Sequence, residues 1–186
     1  SLHDALPIFK RYKSDVAKQA VPPHLNAAEF ARHYADKPQA DTEEYLSLSG
    51  EMCWDAVVLC AHRSGALSKA KYKQLWQTVF DKQYKHFVSP DDTEIRTMAD
   101  MLRAPQGCFI GIFSLRDATA PRLLHAMIGT GAGFAAGNKN LCIGVGGAVG
   151  WENLNLARDL RWQPAGGFLR QGDNEVLRIF YRPFPA

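Results

Sequence analysis

Cys53 and His125 are the two residues whose types and settings in this sequence best suit nucleophilic chemistry. The spacing of apolar residues predicts a buried helix that begins at Cys53, and unpaired amides at a helix start stabilise a thiolate. His125 lies in an apolar run that leads into a glycine-rich turn. If both side chains reach one cleft, the thiolate serves as nucleophile and the imidazole as general base.

A third polar residue is expected to orient the imidazole of such a pair. Asn138 and Asn140 follow the glycine-rich turn at residues 129–133, and a hairpin there returns the chain to the side of His125. Asn138 is the preferred candidate and Asn140 the alternative. An ordinary turn is the competing interpretation, because asparagine is common in turns.

The other cysteines are expected to pack in the core as reduced thiols. Cys60 lies in the body of the apolar helix, and Cys108 and Cys142 lie in apolar runs typical of strands. No CxxC pair and no Cys/His cluster has zinc spacing, so the sequence predicts no metal site. The glycine-rich stretches 129–137 and 144–150 match neither a P-loop nor a dinucleotide-binding motif, so no cofactor is expected.

Composition favours one folded domain and argues against several classes of function. Of the 186 residues, 46% are hydrophobic, which is enough to build a core. The net charge of +3 is spread along the chain, which favours no nucleic-acid partner, and no apolar run has the length of a membrane helix. We expect residues 1–25 to form an N-terminal extension, with its first residues derived from a vector, and residues 26–186 to form a single domain.

The pattern of capping residues and apolar spacing predicts helices first and strands second. Helices are expected to begin at Asn26, Cys53, Ser68 and Ser89. Strands are expected at residues 108–115, 123–128, 141–145, 168–170 and 176–181, the last two as a hairpin, with a short helix or turn at 151–160. This order is an α+β layout with an antiparallel sheet.

Short motifs occur in a fixed order over about residues 50–145: Met52-Cys53-Trp54, Pro105-Gln106-Gly107, His125-Ala126-Met127, Gly131-Ala132-Gly133 and Asn138. In this order the chain resembles the papain-like superfamily, especially its NlpC-type branch of cell-wall peptidases and amidases. The sequence departs from that branch where Glu51 and Met52 replace the usual aspartate before the cysteine. A long two-helix insertion also separates the cysteine helix from the strands.

The resemblance implies a papain-like fold in which helices, including the nucleophile helix, pack on an antiparallel sheet. It implies that Cys53 attacks an amide or ester carbonyl to form a thioester, as in a peptidase, amidase, deamidase or acyltransferase. Glu51 and Trp54 flank the nucleophile and are candidates to line the substrate cleft. The implied substrates are peptides, proteins or peptidoglycan, and similar bacterial effector and toxin domains are secreted into target cells and met by an inhibitor or immunity protein.

A non-catalytic binding module on the same fold is the alternative. In that case Cys53 is a small core residue, as most buried cysteines are. Its thiol would then react with an alkylating reagent no faster than those of the other cysteines.

Overall fold

The computed structural model of the protein describes residues 22–35, 43–76, 85, 87–139, 141–147 and 150–184. Its helices are α1 (Pro23–Ala35), α2 (Glu43–Gly50), α3 (Cys53–Arg63), α4 (Lys69–Trp76), α5 (Met98–Arg103) and α6 (Leu156–Asp159). Its strands are β1 (Thr93–Ile95), β2 (Cys108–Ser114), β3 (Arg122–Gly131), β4 (Phe134–Asn138), β5 (Trp151–Asn155), β6 (Arg161–Trp162), β7 (Phe168–Leu169) and β8 (Val176–Pro183).

These strands form a single sheet with the order β5-β4-β3-β2-β8-β7-β6, and β1 also pairs with β8. Every pairing in the described part of the chain is antiparallel. Short hairpins connect β3 to β4 and β7 to β8, which is possible because antiparallel neighbours need no crossover. The predicted α+β class with an antiparallel sheet is confirmed.

The central strands are buried on both faces, and each face packs against a different apolar cluster. Alternate residues of a strand point to opposite faces. On one face Phe109, Ala126 and Ile128 join a cluster that includes residues of α1 and α3. On the other face Ile110 and Met127 join a second cluster with residues of α5 and α6. We call the face that α1 and α3 cover the helix face, and the opposite one the far face.

Strand β3 contains one extra residue near its beginning. Ile112 of β2 lies opposite His125, whereas the next residue, Phe113, lies opposite Leu123. Leu124 is therefore the additional residue of a β-bulge, which bends a strand and re-aims its neighbours. Leu124 belongs to the far-face cluster and Leu123 packs on the helix-face cluster.

Two of the four predicted helix starts are confirmed and two are wrong. Helix α3 begins at Cys53, and Ser68 caps α4 by accepting a hydrogen bond from the Lys71 amide at 3.1 Å. The predicted start at Asn26 is wrong, because α1 begins at Pro23, and proline suits the first helical position. The boundary drawn between residues 25 and 26 therefore falls inside α1.

The helix predicted from Ser89 is also wrong. The Ser89 amide donates to the Asp92 carboxylate at 2.6 Å, which closes a turn, and β1 follows by pairing with β8. A capping box of Thr97 and Asp100 then starts the short helix α5. Leu102 of this helix is half exposed.

The strands predicted at 108–115, 123–128, 168–170 and 176–181 are confirmed, but the strand predicted at 141–145 is wrong. Residues Leu141–Ile143 form a 3-10 turn, and the partner of β3 is the earlier strand β4. The tight turn at Gly131, Ala132 and Gly133, all with positive φ, returns the chain sooner than expected. The segment predicted as a helix or turn at 151–160 is β5 followed by α6.

We predict that Trp151→Phe lowers the free energy of unfolding by about 2 kcal/mol in urea denaturation. The buried Trp151 indole of β5 donates to the Ala31 carbonyl of α1 at 2.7 Å, and its loss leaves a buried acceptor unpaired. Trp162→Phe is the matched control, because the half-buried Trp162 indole bonds to the Ala157 carbonyl at the end of a short helix. Equal losses in the two variants would contradict the linking role of Trp151.

Candidate thiol site

Cys53 is the first residue of α3, and the residue before it leaves the helix start open. The apolar body of α3 is buried against the sheet, which fixes the direction of the helix. Met52, at the N-cap position, has an extended backbone and makes no side-chain capping bond. Because the first amides of a helix have no partner within the helix, those after Met52 are available to another acceptor.

The sulfur of Cys53 lies beside backbone groups of two elements. The backbone N–H groups of Ala126 in β3 and of Trp54 in α3 face it, and both lower the pKa of the thiol. Burial outweighs them and raises the pKa of Cys53 above its ordinary value. The neighbouring Cys142 and Asp55 also raise it. The resting thiol is therefore protonated at neutral pH and needs a base to become a nucleophile.

Asn138 lies next to the segment that leads into α3. Its side-chain Nδ2 donates to the Glu51 carbonyl oxygen at 2.5 Å, which ties the end of β4 to the residues before Cys53. The Oδ1 atom of Asn138 is buried and has no hydrogen-bond partner among the described residues. Asn138 thus holds the nucleophile segment rather than the imidazole, and its alternative, Asn140, lies outside the described residues.

The His125 ring makes no hydrogen bond to the Cys53 sulfur, and the register of β3 places the two side chains on different faces of the sheet. His125 lies opposite Ile112, which belongs to the far-face cluster, and directly opposite residues share a face. Cys53 packs on the helix face. Both ring nitrogens are buried without a partner in the described part of the chain, and burial lowers the pKa of His125 to about 4.

The two residues predicted to line a cleft beside Cys53 differ in exposure. Glu51 is exposed at the start of α3, as a cleft residue requires. Trp54 is 7% exposed and packs its ring edge-on against Phe87, with 4.9 Å between ring centroids. Its side chain is therefore a core element, and only its backbone amide faces the sulfur.

Three groups near the sulfur were not predicted from the sequence. The N–H of Ala126 could not be predicted, because a backbone contact between distant elements leaves no signal in the sequence. Asp55 is 6% exposed, and burial followed by the charge of Glu51 raises its pKa. An acidic residue within an otherwise apolar helix was the available signal for Asp55. Cys142 was assigned to a buried strand, but it is half buried in a turn.

None of the four cysteines forms a disulfide, and two of them are fully buried in the core. Cys60 and Cys108 are fully buried, and burial raises the pKa of both, that of Cys108 to about 12. Cys53 and Cys142 are half buried and so can be reached by a small reagent.

Comparison of the chain with protein-family models, curated proteins and solved structures finds no match. Among the described helices, none has the length and apolar character needed to cross a membrane. The described histidine, cysteine and acidic side chains form no group of three that could hold a metal ion.

We predict that the buried His125 makes the protein less stable as the pH falls from 6.5 towards 4. The folded-state pKa of about 4 lies below the ordinary 6.5, so the unfolded chain takes up the proton first. The free energy of unfolding is therefore highest above pH 6.5, and it falls by about 1.5 kcal/mol between pH 6.5 and 5. Urea denaturation should show that His125→Leu lacks this loss.

The half-buried His62 of α3 provides the control, since His62→Leu removes one imidazole that is not fully buried. The carboxylates titrate in the wild-type protein and in both variants. Their contributions to the pH dependence therefore cancel when the free energies of unfolding are subtracted. An unchanged pH dependence in His125→Leu would mean that His125 is not held neutral by burial.

Proposed function

We propose that the protein is a cysteine-dependent hydrolase or acyltransferase that attacks an amide or ester carbonyl through Cys53. The observation that carries the proposal is the pair of backbone N–H groups, from Ala126 and Trp54, that meet the Cys53 sulfur. A sulfur in this position is oriented by two rigid elements, and pre-organised N–H donors stabilise the negative charge that develops in acyl transfer.

The uncapped start of α3 supports the same chemistry. When the Cys53 sulfur bonds to a carbonyl carbon, the carbonyl oxygen becomes an oxyanion and needs donors in place. The amides that follow Met52 have no side-chain cap to compete for them. The thiol proton passes to a base and then to the leaving amine, and water releases the acid from the thioester.

His125 is the proposed base, by way of a local shift of the β3 backbone that brings its ring to the sulfur. It directly precedes Ala126, so its backbone already lies beside the sulfur contact. Burial holds its imidazole neutral and lowers the pKa, so the ring becomes an effective base only once it leaves its buried position. Hydrogen bonds in unliganded active sites often tighten only when substrate binds. Asn138 is proposed as a positioning residue for the segment before Cys53, through its bond to Glu51.

The proposed fold family is the papain-like superfamily in its NlpC-type branch, which shares the helix-start cysteine and the antiparallel sheet. The proposed substrates are peptides, proteins or peptidoglycan fragments, as expected of a secreted bacterial effector domain with its own inhibitor. A non-catalytic binding module is the second candidate. It is favoured by one observation, the far-face position of the His125 ring.

We predict that iodoacetamide labels Cys53 faster than Cys142 in the native protein at pH 7.5, and leaves Cys60 and Cys108 unlabelled. Cys142 is the matched control because it is also half buried, but it does not begin a long helix. Peptide mapping by mass spectrometry measures the four rates. A Cys53 rate no higher than that of Cys142 would support the binding module.

We predict that Cys53→Ala abolishes turnover and that His125→Ala lowers it by at least about 100-fold, the usual contribution of a general base. Asn138→Ala should reduce turnover less, because it moves the nucleophile segment without removing a reacting group. Intact-mass analysis of candidate proteins and peptidoglycan fragments distinguishes cleavage, deamidation and acyl transfer by the mass change.

Cys142→Ala is the control for this series and should keep wild-type turnover. If Cys53→Ala still turns substrate over, the nucleophile assignment is wrong. Full activity in His125→Ala would leave Cys53 as nucleophile but require another base.

A further inference from the structure

A second candidate site lies at the end of β3, four residues beyond the Cys53 contact at Ala126. A cavity of about 420 Å³ opens there, beside the turn between β3 and β4. Its described lining residues come from α1, from the loop before β2, from the turn and from β5: Arg32, Gln106, Thr130, Gly131, Ala132, Phe134 and Asn153. A volume of this size lies within the range of small-molecule pockets and accommodates an amino-acid derivative or the end of a peptide.

Hydrogen bonds fix the polar wall of this cavity. The Arg32 guanidinium donates to the Thr130 carbonyl at 2.9 Å, which anchors α1 to the end of β3. The Thr130 hydroxyl donates to the Asn153 Oδ1 atom at 2.7 Å. Because Oδ1 is the acceptor in that bond, the Asn153 Nδ2 donors remain for a ligand. The wall is thus pre-organised, with its side chains held by the protein itself.

The described lining of the cavity carries only positive charge. Arg32 contributes a positive charge, no acidic residue belongs to the described lining, and no described carboxylate forms a salt bridge with Arg32. In the larger cavity beside β8, by contrast, Arg116 already pairs with Glu175 at 3.5 Å. The Arg32 cavity therefore offers donors and a positive charge that are not already neutralised by a described acid.

We propose that this cavity binds a carboxylate group that carries an apolar substituent. The planar guanidinium of Arg32 matches the two oxygens of a carboxylate, and the Asn153 and Gln106 amides supply further donors. Phe134 and Ala132 provide the apolar wall for the substituent. The carboxylate belongs either to a small free acid or to the C-terminus of a peptide.

This site is independent of the chemistry proposed for Cys53. Ala126, which contacts the sulfur, and Thr130, which borders the cavity, are four residues apart on β3, or about 13 Å at the rise of a strand. Binding can therefore be measured without any turnover, and its outcome does not depend on whether Cys53 is a nucleophile.

The test is a titration of the ¹⁵N-labelled protein, followed by the amide shifts of Gly131 and Ala132. The probes are N-acetyl-leucine, its uncharged amide, inorganic phosphate, and a peptide ending in leucine with a free or amidated C-terminus. We expect saturable binding of the two carboxylates and at least about tenfold weaker binding of both amides, since a hydrogen-bonded charge is lost. A peptide that binds more weakly than N-acetyl-leucine identifies a small acid as the ligand, and the reverse order identifies a C-terminus.

Two variants test the residues. Arg32→Gln removes the positive charge of the cavity. Asn153→Asp adds a negative charge that repels the carboxylate of the ligand, and it keeps the oxygen that accepts from the Thr130 hydroxyl. Each should weaken N-acetyl-leucine binding by at least about tenfold. Arg103→Gln is the matched control, because Arg103 is exposed on α5 and bonded to Asp100, and it should leave the affinity unchanged.

Asn153→Asp keeps the test valid if Arg32→Gln fails to fold. Equal binding of the acid and its amide, phosphate binding as tight as that of the acid, or no saturable shift of the Gly131 and Ala132 amides would each overturn the proposal. Wild-type affinity in Asn153→Asp would overturn it as well.

Discussion

Strand β3 is buried on both faces, and the alternation of its side chains decides which residues can meet the thiol of Cys53. Burial on both sides leaves no room for a polar side chain to turn freely, so the face that a residue occupies is fixed by the register with β2. Ala126 presents its N–H to the sulfur, while the ring of His125, one residue earlier, belongs to the far face. The regular pairing of Gly111 with Ala126 and of Ile112 with His125 sets this arrangement, and the bulge begins only at Leu124.

The helices that cover the helix face contribute residues to both candidate sites. On the helix face, α3 delivers Cys53 to the middle of β3, and α1 reaches the end of the same strand through Arg32. Bonds between distant segments hold both ends in place, from Asn138 to Glu51 and from Trp151 to Ala31. The two candidate sites are thus built on the same strand, and the sheet keeps them apart.

Burial is also the dominant electrostatic influence on the residues of the thiol site. It raises the pKa of Cys53, raises that of Asp55, and lowers that of His125, so every one of these groups favours its neutral form. A site in which the thiol and the imidazole are both neutral contains no resting ion pair, and the lowered pKa of His125 makes its imidazole a weak base where it lies. Catalysis at such a site requires that substrate binding or a backbone shift of β3 joins the two groups and changes the surroundings of the imidazole.

The sequence by itself determined the elements whose signals are local. The apolar helix from Cys53, the cap at Ser68, the buried strand after Gly107 and the hairpin before Val176 were predicted because periodicity, caps and turn residues act within a few positions. Long-range pairing decided the rest. Thr93–Ile95 became a strand because β8 offered an edge, whereas residues 141–145 did not because β4 had already paired with β3. The register between β2 and β3 determined which way His125 faces. A register depends on the partner strand as well as on the strand itself, and so the contact of Cys53 with Ala126 was decided only by the tertiary structure.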